Sequence, residues 1–121
     1  MIKVLSDIVS QAKANESCLT VAAALEVLGG CENPLLVDVR EPQEYQLDAI
    51  QGFINIPRGV LEMRLPELCS DPQRCILIHC ATGGRAALSA RALREMGYEN
   101  VHLINAPFAE IKAGFMANRQ A

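Results

Sequence analysis

No stretch of this 121-residue chain approaches the ~18 to 20 uninterrupted apolar residues that crossing a bilayer requires. Positive charge is also in short supply. Eleven Lys plus Arg stand against fourteen Asp plus Glu, a formal net charge of -3. Without a basic field to gather phosphates, the sequence argues against a nucleic-acid binder or an anionic-membrane binder. The five cysteines, Cys18, Cys31, Cys69, Cys75 and Cys80, contain no CxxC pair, so the common zinc and thioredoxin spacings are missing. An odd count cannot close into a complete set of intrachain disulfides. The N-terminus, MIKVLSDIVSQAKANES, places Ser6 and Asp7 where an export leader needs an apolar core, and it reads as the first amphipathic helix of a mature protein. Free thiols without an export signal imply a reducing, cytoplasmic setting. Repeats, low-complexity tracts and linkers are absent, which leaves one domain as the expectation.

What is present is an alternation of short apolar runs with helical patterns. Val4, Leu5, Ile8, Val9 and Ala12 recur at helical spacing and predict a helix over about 3–15. Residues 18–21 read as a short strand, followed by a helix that Gly29-Gly30 ends. Further strands are predicted at 35–39, 53–56, 75–79 and 101–104. Helices are predicted from Pro42 to Leu47, Leu61 to Leu68, Arg85 to Met96 and Ala109 to Ala113. The pattern specifies an α/β fold, a central parallel five-stranded sheet with helices on both faces. We divide the chain into an N-terminal helical extension, 1–17, and a domain, 18–121. Ligands of such folds bind outside the C-terminal ends of the strands. The loops after Val39, Ile56 and His79 therefore become the places to look.

The loop after the fourth strand reads Cys80-Ala81-Thr82-Gly83-Gly84-Arg85 and leads into the predicted long helix. Two glycines let the backbone curl with its amide hydrogens inward. The helix N-terminus and Arg85 add positive potential. All three favour a thiolate, the condition for a nucleophilic cysteine, and would equally stabilise a persulfide anion. A strand cysteine is often only a small core hydrophobe. Neither GxxxxGK[ST] nor GxGxxG is present, so the glycine pair fits neither common phosphate-binding pattern. No metal ligand set or cofactor motif is expected.

Taken in order, Asp38-Val39-Arg40-Glu41, Glu44-Tyr45, Gly52, Ile54-Asn55-Ile56-Pro57, His79-Cys80, Gly83 and Arg85 resemble the single-domain rhodanese pattern. Leu93, Gly97-Tyr98, Asn100-Val101 and Leu103 extend the resemblance, which covers roughly residues 18 to 115. It implies a rhodanese-like fold and a thiosulfate sulfurtransferase activity. In that family a cysteine takes sulfane sulfur from a donor such as thiosulfate and passes it, from a persulfide, to cyanide or a thiol. By this resemblance Cys80 is the persulfide cysteine, and Ala81, Thr82, Gly83, Gly84 and Arg85 form the anion cradle. The partners implied are a small anionic sulfur donor and a protein thiol acceptor, with no nucleic acid and no membrane. Oligomeric state stays open. The chain departs from the family pattern at Ala49, Phe53, Asn105-Ala106 and Ile111.

Three charged residues near the same sheet edge could support the site. Asp38 and Arg40 could shape the site, but a structural role, pairing with each other or capping the next helix, is favoured. Arg58, after Pro57, could meet an anionic donor or simply be solvated. His79 should point to the sheet face opposite Cys80, as a hydrogen-bonded core histidine. Glu41, Glu44 and Asp48 read as a solvated helix face. His102 carries no assigned role. Cys69 and Cys75 could form a reversible disulfide, with plain packing the alternative. Two other functions compete: a cysteine-dependent phosphatase or arsenate reductase, and a rhodanese-like docking module of low activity. Phosphatase loops of that layout hold five residues between Cys and Arg, whereas four separate Cys80 from Arg85.

Overall fold

A computed structural model describes residues 1–120. Its elements, in chain order, are α1 (Leu5–Asn15), β1 (Ser17–Leu19), α2 (Val21–Gly29), β2 (Leu35–Asp38), α3 (Pro42–Leu47), β3 (Ile54–Asn55), α4 (Leu61–Leu68), β4 (Ile76–His79), α5 (Gly84–Met96), β5 (Val101–Ile104) and α6 (Phe108–Gln120). A short 3-10 turn, Arg58–Val60, precedes α4. The strands form a sheet of order β1-β5-β4-β2-β3, and every pair is parallel. This is the α/β arrangement expected from the alternating pattern. β4 lies at its centre, and all four of its residues are buried. Among the described residues no helix is long and apolar enough to cross a membrane.

The two faces of the sheet have separate cores. On one face Ala12 of α1, Leu61 and Leu65 of α4, and Ala86, Ala87, Ala90 and Leu93 of α5 cover Val37, Ile76, Ile78 and Leu103. On the other, Ala24 of α2 and Ile111 and Phe115 of α6 pack with Ile50, Phe53 and Ile104. Alternation along β4 divides its neighbours, so Cys80 belongs to the first core, while the His79 ring packs on Phe53 of the second.

Several boundaries differ from the sequence expectation for identifiable reasons. The first strand was expected over 18–21, but β1 ends at Leu19 because Thr20 caps α2, its hydroxyl accepting from Ala23 N at 3.1 Å. The third strand is only Ile54–Asn55, since Phe53 N is turned back to Ile50 O at 3.1 Å. The last helix runs to Gln120, well past the expected Ala113. Gly114, inside this helix, is a close-approach residue. A Cβ there would lie 2.5 Å from Val21 Cγ1, so the missing side chain is what lets α6 settle against α2.

That contact reverses the usual sign of a glycine replacement. A mid-helix Gly→Ala change normally stabilises by about 1 kcal/mol. Gly114→Ala should instead destabilise by about 1–3 kcal/mol through overpacking, and Val21→Ala in the same chain should recover most of that loss. Urea unfolding of the single and double variants measures both effects.

Candidate active site

Cys80 follows the last residue of β4 and is 1% exposed. Gly83 takes a left-handed conformation, φ 102°, and so bends the loop back on the sulfur. Gly83 N then donates to Cys80 Sγ at 3.0 Å, and Ala86 N, already in the first turn of α5, donates at 3.3 Å. Two converging backbone donors at a helix N-terminus suit an anionic sulfur. The loop is fixed from outside as well, since Phe108 N donates to Ala81 O at 2.9 Å. Gly84 packs near the Val9 side chain of α1, and Thr82 is exposed. Ala86 lies one residue beyond the cradle read from the sequence. A helix amide carries no side-chain signature, so no pattern marked it.

Arg85 was expected to place its charge beside the sulfur. It lies near enough to feel Cys80, and its guanidinium is bound by Glu44, with Nη1 donating to Oε1 at 2.7 Å and Nη2 to Oε2 at 3.1 Å. This pairing raises the Arg85 pKa, and the neighbouring Cys80 adds to the effect. Glu44 also accepts from Glu41 N at 2.9 Å, closing the first turn of α3. The Arg85 hydrogen bond is the largest of the effects that hold the Glu44 carboxyl down at about 2. The solvated-face reading of Glu41, Glu44 and Asp48 is therefore corrected at two positions. Glu44 bridges α3 to the loop helix, and Asp48 pairs with Lys112 while its carbonyl accepts from Arg40. The Glu-Pro-Gln-Glu spacing at 41–44 was a capping signal that could have drawn attention to Glu44.

Asp38 and Arg40 pair with each other, as the sequence suggested. Arg40 Nε lies 3.1 Å from each carboxylate oxygen and Nη2 donates to Oδ2 at 2.8 Å, both side chains being buried. The Arg40 guanidinium stacks 4.0 Å from the Phe108 ring centroid. Arg58 is engaged by Glu62 at 2.7 Å, one helical turn on. His79 is buried, with Nδ1 3.3 Å from Cys80 O, while Nε2 has no hydrogen-bond partner and sits 3.6 Å from Asp38 Oδ2. Burial lowers the His79 pKa, against a smaller opposing pull from Asp38. The histidine is thus a core residue with one orphaned nitrogen rather than a fully satisfied one.

The remaining cysteines fall away from this edge. Cys69 and Cys75 do not pair: Cys69 Sγ faces Asp71 O at 3.5 Å, and Cys75 is neighboured by Cys31 at the opposite end of the sheet. Burial pushes the Cys75 thiol up to about 12, and Cys31 adds to the shift. All five thiols are free. Among the described residues, no group of three or more His, Cys, Asp or Glu could hold a metal ion.

A family model described as "Rhodanese-like domain" matches residues 20–113. The thiosulfate sulfurtransferase PspE of Escherichia coli is 34% identical over 65 residues, 54% of this chain and 62% of that protein. The chain thus spans less than two thirds of this relative. A Rhodopseudomonas palustris structure, described as a protein of unknown function and possible tyrosine phosphatase, superposes with a TM-score of 0.79 at 28% identity. That superposition covers 94% of this chain and 93% of the other. A human single-domain sulfurtransferase superposes with a TM-score of 0.64, covering 77% and 92% of the two chains; at 21% identity it speaks to the fold alone.

The Glu44–Arg85 pair has an acid signature. Its folded pKa of about 2 lies below the ordinary 4.5, so the unfolded chain takes up the proton first as pH falls. The contribution is complete above 4.5 and disappears towards 2. Both side chains are about one-third exposed, so screening limits the effect. Glu44→Gln should cost about 0.5–1 kcal/mol at neutral pH, and thermal melts should show that gap closing between pH 4.5 and 2.

Proposed function

The chain belongs to the rhodanese-like domain family, and on that premise we propose that it is a sulfurtransferase carrying sulfane sulfur as a persulfide on Cys80. The observation that supports this reading best is the convergence of Gly83 N and Ala86 N on one buried sulfur at 3.0 and 3.3 Å. Four residues between Cys80 and Arg85 keep the loop short, one fewer than in phosphatase loops of this layout.

In this mechanism the Cys80 thiolate attacks the outer sulfur of a donor such as thiosulfate. The new bond joins Sγ to that sulfur, and the donor's S–S bond breaks with its electron pair leaving on sulfite. One negative charge stays on the persulfide, and two leave with sulfite, matching the three that entered. An acceptor such as cyanide or a thiolate then attacks the outer sulfur and returns Cys80 as thiolate. No general base is required, because the amides and the helix N-terminus stabilise the charge throughout. Ala81 to Arg85 act as the cradle, with Arg85 held in place by Glu44. The Asp38–Arg40 pair acts as support beneath the loop edge, and Arg58 serves no more than the rim. Five free thiols fit a reducing, cytoplasmic setting.

Incubation with thiosulfate should add one sulfur atom to the protein by mass spectrometry, and Cys80→Ser should abolish the gain. Equal gain in the substituted protein would overturn the assignment. Arg85→Ala should slow loading roughly tenfold by releasing α3 from the loop helix and loosening the cradle, and stopped-flow loading kinetics measure this. Phosphate-ester hydrolysis that depends on Cys80, without sulfur gain, would favour the phosphatase reading instead.

A further inference from the structure

The cations nearest the sulfur loop are largely spent on partners. Arg85 is paired with Glu44, Arg40 with Asp38, and Arg58 with Glu62. One cation approaches the loop without an ion-pair partner among the described residues, and it comes from α1. A Cβ built on Gly83 would lie 3.4 Å from Lys13 Nζ and 3.5 Å from its Cε. Gly83 is the residue whose amide donates to Cys80 Sγ. The same face of Gly83 holds the Asn105 side chain, whose Oδ1 would lie 2.6 Å from that Cβ. Lys13 and Asn105 therefore close over the outer wall of the loop, and the missing glycine side chain is what lets them approach.

The ammonium is held there by more than its own side chain. Ala12, its neighbour, is fully buried, and Val9 one turn earlier lies against Gly84. One residue past the helix, Glu16 is clamped to Arg94 of α5, with Oε2 2.7 Å from Nη2 and both oxygens within 2.9 Å of Nε. Lys13 itself is half-buried, so its charge is less screened than that of a fully exposed lysine. Lys13 lies outside residues 20–113, the part matched by the family model, and within the segment 1–17 that we regard as an extension of the domain.

Resting on the reading of Cys80 as the sulfur-carrying thiol, we propose that Lys13 is a specificity-determining residue that draws anionic sulfur donors, oxyanions of the thiosulfate type, to the Cys80 loop. The N-terminal helix then supplies the loop with the free positive charge that Arg85, neutralised by Glu44, does not. Lys13 forms no bond to the reacting sulfur. It raises the occupancy of anions at the loop mouth, and its removal acts on donor binding rather than on the chemical step.

The test uses the full chain carrying Lys13→Gln or Lys13→Arg, with two readouts. In steady-state transfer from thiosulfate to cyanide, Lys13→Gln should raise KM about three- to tenfold with kcat within twofold, and Lys13→Arg should stay near wild type. The second readout needs no sulfur transfer: alkylation of Cys80 by anionic iodoacetate and by neutral iodoacetamide, followed on the Cys80 peptide by mass spectrometry. Lys13→Gln should lower the iodoacetate rate relative to iodoacetamide, and added salt should shrink the difference between variants. An unchanged ratio, or an equal change with both reagents, would reduce Lys13 to a packing residue and overturn the proposal. A wild-type protein that gains no sulfur from thiosulfate, yet shows the charge-selective alkylation, would overturn the sulfurtransferase reading while upholding Lys13 as the anion-recruiting residue.

Discussion

The buried Asp38–Arg40 ion pair ties together three strands and two helices at the sheet edge that carries the sulfur loop. Asp38 ends β2, and its carboxylate takes both the side chain and the backbone amide of Arg40. Arg40 reaches on to Asp48 O beyond α3 and stacks on Phe108 at the start of α6. Asn55 of β3 donates to the carbonyls of both residues, and His79 of β4 lies against the same carboxylate. Two charges taken out of water cost several kcal/mol each, and only near-complete hydrogen bonding offsets that. Such a pair has one workable geometry, so three strand ends and two helix ends are held to it.

Upon that frame the loop itself needs little. The parallel sheet delivers Cys80 to the edge where all strand C-termini emerge, and Gly83 turns the chain so that two amides face the sulfur. Phe108 N fastens Ala81 from the α6 side, while α1 presses on Gly84 from the other. Charge is then distributed in an unexpected way. Arg85 is engaged with Glu44, which locks α3 to α5, and among the described residues the cation near the loop without an ion-pair partner is Lys13 of the first helix. Structural and electrostatic duties that one arginine could have combined are split between two residues.

Much of this was legible in the residues. The alternating pattern was enough for a parallel α/β sheet, and the Cys-Gly-Gly-Arg loop singled out Cys80 among five thiols. For Asp38 and Arg40 a structural role was readable, because buried charges are usually paired, but pairing with each other and capping α3 stayed open until the structure showed the ion pair. The end of the last helix was missed, since a glycine that ends a helix and one that admits a neighbouring helix look the same in one dimension. Glu44 and Asp48 misled as well, because spacing along α3 cannot show what α5 and α6 bring opposite it.

By itself, the sequence determined the nature of the elements, the edge of the sheet where ligands of such folds bind, and the cysteine that stands there, because these follow from local periodicity and loop composition. Only the tertiary structure decided which charges reach that sulfur. Ala86 N, the Glu44–Arg85 pair, Asn105 and Lys13 meet at the loop through approaches between residues far apart in the chain, such as Glu44 to Arg85 and Lys13 to Gly83. Electrostatics depend on distance in space, and no pattern of neighbouring residues records it.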